Sequence, residues 1–520
     1  MRLEQLVRQL EAFEREECKE LWLHSTGRKD DFEIEKIYKK YSGLFSKQSI
    51  AAVKEALDRA KGRDVLRLRF LLRSLTEGFI SRALAKLTEQ EARYEAKATV
   101  RVDHKAVPYR QLGILVVNED SRKRRAALYR LGKPITKKLT AFERTAWANC
   151  YALVRELGYR DYVELYQQLN AIDYSALAAK LATFLKQTDR LFSSVMRGAL
   201  KSLGLAIGQA RSHDWGYLMR AKAFDAYFPK ERLLPMLYQL TDGLGFPIKQ
   251  ERRITLDFEE RPKKVPRAFC LPVSVPGNVR FMIKPHGGCG DFASALHELG
   301  HVEHFVHTSS ALAFEFRLLG DYCLSESYAM LFEHLLYNPA WLCHFTLMPK
   351  KMINSFVQYG MLDRLAALRR YSAKLLYELR LHSRSYTKID RNFRQLPNQR
   401  YRTAGICYKD ILTKATKIVH DADNALIAVD SGFYCADYLR SWALEAQLRA
   451  ALIARFGKAW FTSTRAGRFL KALWRHGNSL TAHELATRLG YAGVDFGPLF
   501  SELVGYFASK SAKSLQNPHS

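Results

Sequence analysis

Four histidines and two glutamates fall within the 15 residues ASALHELGHVEHFVH, Ala293 to His307. His297, Glu298 and His301 among them have the spacing HExxH. On a helix, positions four apart lie one turn apart on the same face, so both imidazoles can reach one ion. The glutamate between them sits beside that face, where it can take a proton from an activated water. The chemistry on offer is metal-assisted hydrolysis. The competing reading is a polar helix face with satisfied histidines.

A zinc site that keeps a position open for water needs a third protein ligand. His307 stands where HExxHxxGxxH proteases place theirs, but that pattern needs a glycine three residues after the second histidine, and this chain has His304 there. On an uninterrupted helix His307 is about 80° off the His297 face and about 15 Å along the axis. His304 shares the face but lies two turns away. Both are expected at the surface or behind the site. The remaining candidate is Glu326, in GDYCLSESYAMLFEHLLYNP. This segment reads as a second amphipathic helix with Asp321 or Ser325 near its start. A glutamate near a helix N-terminus is also favoured by the dipole alone. The apolar run after Glu326 argues that its face is buried, and a buried carboxylate needs a partner such as a metal.

These residues must be held by mostly helical structure. The first hundred residues read as long amphipathic helices, and the same periodicity continues through FERTAWANCYALVRELGYRDYVELYQQL. The texture changes between Arg252 and Pro285. ITLDF, AFCLPVSV and VRFMIKP are short β-type runs separated by Pro and Gly, and read as a small antiparallel sheet. HGGCGD then makes a glycine-rich turn, with Asp291 placed to cap the helix that carries HExxH. From there the chain is helical again, apart from a loop around KIDRNFRQLPNQRYRTAG. No low-complexity linker or repeat interrupts the pattern. The expected organisation is a single unit, 1–520: an N-terminal helical part (1–190), a zinc-binding catalytic core (191–450) and C-terminal helices (451–520).

The chain has 520 residues, 48% of them hydrophobic, which excludes a disordered protein. Its eight cysteines form no CxxC pair, so a thiolate zinc site or disulfide framework is not indicated, and a reducing, cytoplasmic setting fits. The N-terminus lacks the uninterrupted apolar core of a secretory signal, and no run is long enough to span a bilayer. The net charge of +29 invites a nucleic-acid reading. Yet the basic residues are spread along the chain. Even the densest stretch, Arg364 to Arg402, matches no nucleic-acid-binding signature, which favours a solvated basic surface.

HExxH followed by ESYAMLFEHL resembles the thimet oligopeptidase and oligoendopeptidase F family of zinc metallopeptidases. KKVPRAFC (Lys263 to Cys270) is similar to that family's segment before the substrate strand. VRFMIKPHGGCGDFASALHELGHVEHF is similar to its edge strand, turn and active-site helix. DSGFYCADYLRSWALEAQL (Asp430 to Leu448) resembles its late helix, which presents tyrosines. The resemblance covers roughly residues 190–450. It implies a mainly α fold, a large helical two-lobed body with a deep central cleft and the small sheet beside the active-site helix. It implies one Zn2+ held by His297, His301 and Glu326, with Glu298 as general base. It also implies a tyrosine donor for the oxyanion, Tyr434 or Tyr438, with Tyr434 favoured. The family's histidine about ten residues earlier has no counterpart: Asn424 stands there and His420 is the nearest histidine. Substrates would be short peptides. His286 follows the presumed substrate strand, and Gly287 and Gly288 would let a peptide approach closely.

Three readings follow. The leading one is a zinc oligopeptidase that cleaves within short peptides. A zinc carboxypeptidase of similar architecture is the second. The third, from a different class, is a basic helical binding protein with a vestigial metal site.

Overall fold

The computed structural model describes residues 2–383 and 397–516. The architecture is mainly α. The chain divides into two compact units, each assembled from three segments. One comprises Met1–Ala85, Ala223–Gly360 and Arg440–Leu499; the other comprises Lys86–Lys222, Met361–Leu439 and Phe500–Ser520. Among the described residues no helix is long and apolar enough to cross a membrane.

The first unit carries the HExxH segment. Its opening helix, Leu3–Ser25, buries Leu6, Leu10 and Phe13 at helical spacing. Trp22, near the end of that helix, packs on Leu271 and Met282 of a three-stranded sheet. The strands are Ile254–Asp257, Phe269–Ser274 and Asn278–Met282. They lie where the alternating runs predict them, but the sheet is mixed rather than antiparallel. Asn278–Met282 pairs antiparallel with Phe269–Ser274 and parallel with Ile254–Asp257. Only the first pair is joined by a tight turn, and only that connection forces antiparallel pairing. The VRFMIKP strand, similar to an edge strand in the sequence reading, is therefore the middle strand. Phe269–Ser274 is an edge, with a register shift between Pro272 and Ser274.

Gly287 and Gly288 have φ of 90° and 95°, which favours glycine at both. They turn the chain from the sheet into helix Cys289–His307. Asp291 is not the cap of this helix. Gly288 holds that position, and the Asp291 carboxylate reaches back from the first turn to accept the His286 and Gly287 amides. Phe292, Ala295, Leu296, Leu299, Val302 and Val306 make the apolar stripe of the helix. A second helix, Tyr322–Glu333, is buried from Cys323 to Phe332. Asp321 caps it by accepting the Cys323 amide at 3.0 Å, and its carboxylate also receives Arg440 at 2.6 Å.

The second unit has its own hairpin, Thr99–Val102 with Lys105–Pro108, packed with Leu112, Leu128 and Leu139. Buried Asp214 is held by Arg125 at 3.0 Å and Arg122 at 3.1 Å. The loop expected around residues 388–405 lies partly outside the described residues, and its later part belongs to helix Pro397–Thr416.

Candidate metal centre

Helices Cys289–His307 and Tyr322–Glu333 cross at Gly300, where a side chain would collide with the Tyr328–Ala329 backbone. The glycine inside HExxH thus lets the second helix come close enough to deliver its glutamate. Glu326 is nearly fully buried, and its two oxygens face the two histidines. His297 Nε2 lies 3.4 Å from Glu326 Oε2, and His301 Nε2 lies 3.6 Å from Oε1. Within this trio each residue offers a ligand atom within 4.8 Å of the others. Ligands about 2.1 Å from a tetrahedral zinc ion stand roughly 3.4 Å apart, so the spacing and the N, N, O donor set fit zinc.

Both imidazoles are oriented from behind. His297 Nδ1 is 2.8 Å from Glu333 Oε2, and His301 Nδ1 is 2.7 Å from Ser325 Oγ. Such partners fix the tautomer that turns the ε nitrogen toward an ion. Burial alone would lower the proton affinity of His297, but the Glu326 and Glu333 carboxylates outweigh it and hold its pKa well above the usual value. His301 is pushed down to about 4, chiefly by burial. Two carboxylates around one histidine make a site that favours positive charge.

Glu298 stands beside the pair. Its Oε2 accepts the Cys270 backbone N–H at 2.8 Å, which ties the helix to the edge strand. Burial raises its pKa to about 7, against the lowering pull of His297 and that N–H. A carboxyl group tuned toward neutrality suits proton transfer near physiological pH.

The other histidines of the segment fall away from the trio. The helix continues through His307, as the missing glycine predicts. His304 is not at the surface: it is fully buried against Tyr328, with ring centroids 5.0 Å apart, and burial lowers its pKa to about 3. It is a neutral core residue. His307 Nδ1 pairs with buried Glu303 at 3.2 Å, which gives Glu303 its partner. His286 is exposed in the turn.

Tyr434 and Tyr438 start helix Tyr434–Phe456 and belong to the second unit. Their rings lie edge to face with centroids 5.1 Å apart, and Tyr438 also meets Tyr371 at 5.5 Å. In the same unit Asn424 donates to the Tyr129 hydroxyl at 3.4 Å. His420 is buried with Nε2 3.0 Å from Thr416 Oγ1, and burial lowers its pKa to about 4. A further trio of ligating type, Glu378, Asp430 and Cys435, also lies in this unit. Lys374 already supplies its cation, 2.5 Å from Asp430 and 3.7 Å from Glu378.

The sequence reading did not single out Glu333 or the Cys270 amide, and named Ser325 only as a helix start. Glu333 follows Glu326 by seven residues, two helical turns, so it could have been found on the same face. The Cys270 contact depends on sheet pairing and leaves no mark in residue type.

No family model matches the sequence, and no curated protein sequence matches it. Solved structures share the fold. One is a crystal structure assigned as an oligoendopeptidase F from Bacillus anthracis str. Ames. It has a TM-score of 0.64 and 15% identity, over 92% of this chain and 85% of that one. Another is PZ peptidase A with an inhibitor, with a TM-score of 0.64 and 16% identity, over 91% of this chain and 87% of that one.

Proposed function

We propose that this protein is a zinc metallopeptidase that cleaves within short peptides, with His297, His301 and Glu326 as the zinc ligands. The observation that carries the reading is the convergence of the two ε nitrogens on the two oxygens of Glu326, with Glu298 alongside. The shared fold with an oligoendopeptidase F and PZ peptidase A supports it. When bound, zinc supplies a Lewis acid that polarises the scissile carbonyl and acidifies water.

The chain's own residues do the rest. Glu298 takes the proton of the attacking water and returns it to the leaving amine. Its link to the Cys270 amide holds the carboxylate in one orientation. Glu333 and Ser325 keep His297 and His301 in the ligating tautomer. By the family resemblance, Tyr434 or Tyr438 would supply the hydroxyl donor to the oxyanion. The buried walls around Glu298 exclude water and keep its pKa near 7.

The deciding experiment measures zinc content and hydrolysis of internally quenched peptides by the purified protein. Stoichiometric zinc with cleavage of peptides blocked at both ends supports the endopeptidase reading. Cleavage only of peptides with a free C-terminus points to a carboxypeptidase. A protein that binds no zinc and cleaves nothing overturns the proposal.

A further inference from the structure

Helix Lys350–His382 carries Tyr371, Lys374, Glu378 and His382 at successive spacings of three, four and four residues. Such spacing places all four on one face of the helix. All four belong to the second unit, and each meets the stretch of chain that starts helix Tyr434–Phe456. Tyr371 packs on Tyr438 with ring centroids 5.5 Å apart. The Lys374 ammonium is 2.5 Å from Asp430 and lies 5.6 Å over the Tyr371 ring. His382 packs on Phe433 with centroids 5.4 Å apart.

Glu378 holds the centre of this face and is fully buried. Its Oε1 accepts the Asp430 backbone N–H at 2.9 Å, and its Oε2 accepts the Cys435 thiol at 3.0 Å. One carboxylate thus grips the chain on both sides of the turn Ser431–Phe433. The turn is held from a second side as well. The Tyr162 hydroxyl accepts the Gly432 N–H at 2.8 Å, and Asn170 donates to the Gly432 carbonyl at 3.3 Å. Phe433 has a φ of 57°, a left-handed conformation that a bulky side chain adopts only where its surroundings impose it. Those surroundings are Tyr162, Tyr174 and His382.

A buried carboxylate and ammonium add little net stability, and an apolar pair of the same size would serve packing as well. What they add is direction. Hydrogen bonds fix a turn in one place, whereas apolar contacts let it slide. The residue that follows this turn is Tyr434, and Tyr438 stands one helical turn further on. These are the two phenols that the peptidase reading uses.

We propose that Glu378 is a positioning residue for Tyr434 and Tyr438: through Asp430 and Cys435 it fixes the turn from which both phenols are presented. The oxyanion role of the phenols rests on the peptidase reading; their placement by Glu378 does not.

The test puts meta-fluorotyrosine in place of Tyr434 or Tyr438 in the full chain and reads the fluorine resonance, alongside kcat and KM of the zinc-loaded protein. Glu378→Ala should shift or broaden both resonances and leave a label in place of Tyr41, in the first unit, unmoved. Glu378→Gln keeps the size and one carbonyl acceptor, so it should restore them. In activity, Glu378→Ala should lower kcat by about 10–100-fold with KM and zinc content unchanged. In a protein that carries Tyr434→Phe and Tyr438→Phe the same change should cost nothing further, because it acts through the phenols. Resonances that stay in place overturn the proposal, as do losses that multiply in the triple variant, which would leave Glu378 with packing alone. If Glu378→Ala does not fold, Cys435→Ala removes one of the two donors and carries the same comparison. Resonances that move while the wild type cleaves no peptide keep the clamp and remove the peptidase reading.

Discussion

Gly300 presses so closely on Ala329 that a Cβ at the glycine would lie 2.5 Å from the Ala329 Cα. It would also lie 2.5 Å from the Tyr328 carbonyl oxygen. Both neighbours are backbone, so neither can rotate away. Gly300→Ala must push the two metal-bearing helices apart. Overpacking of this kind costs about 1–3 kcal/mol. The expected outcome is a lower Tm together with loss of bound zinc. A Gly300→Ala protein with wild-type Tm and full zinc would show that the crossing has slack.

Glu333 and Ser325 contact the Nδ1 atoms of the two histidines proposed to hold zinc. Glu333→Gln and Ser325→Ala should each weaken zinc binding by about 10–100-fold. Competition with a chromophoric chelator measures this directly. Unchanged affinity in both variants would remove their orienting role.

Glu298→Gln keeps the size of the side chain and its place beside the metal. It should retain zinc and lose roughly 10²–10⁴-fold in kcat. Wild-type turnover in a zinc-replete variant would sink the assigned base.

Tyr434→Phe removes one hydroxyl and leaves the ring packed on Tyr438. If that hydroxyl meets the oxyanion, kcat falls by about 10²-fold or more while KM moves little. A change confined to KM would place the hydroxyl on the substrate ground state instead.

Glu14 predicts how stability varies with pH. Its folded-state pKa is raised from 4.5 to about 8, so the folded protein holds a proton that the unfolded chain releases near 4.5. Stability from this group is complete below the unfolded pKa and declines as pH rises toward 8. Glu14→Gln should therefore match wild type at pH 4 and exceed it at pH 9, by on the order of 2 kcal/mol. Thermal unfolding at the two pH values gives the comparison, and an equal difference at both would contradict it.

The sequence pointed to His297, His301 and Glu326 as one cluster, and the structure brings their side chains together. His297 and His301 lie one turn apart on one helix, and Glu326 lies on the next amphipathic segment. The missing glycine at position 304 announced that the helix would run on to His307. What could not be read depends on pairing between distant segments. The parallel partner of Asn278–Met282 is a strand more than twenty residues earlier, with another strand between them in the chain, so no short turn sets its direction. His304 was expected at the surface or behind the site, and it lies in the core. Tyr328, from the second helix, covers it.

Pro272 interrupts the partly buried edge strand at a point where the ladder also shifts register. Proline offers a carbonyl and no N–H, and the nearby Cys270 amide is already taken by Glu298. A bare edge is a template on which another copy of the same chain can add a strand and begin to aggregate. Here that edge can accept hydrogen bonds but has few left to give, and the irregular register spoils a long pairing. Proline at 272 and the engaged Cys270 amide thus leave this edge few donors for a strand of another chain. Replacing Pro272 with valine would restore a donor and make concentrated solutions more prone to strand-mediated assembly.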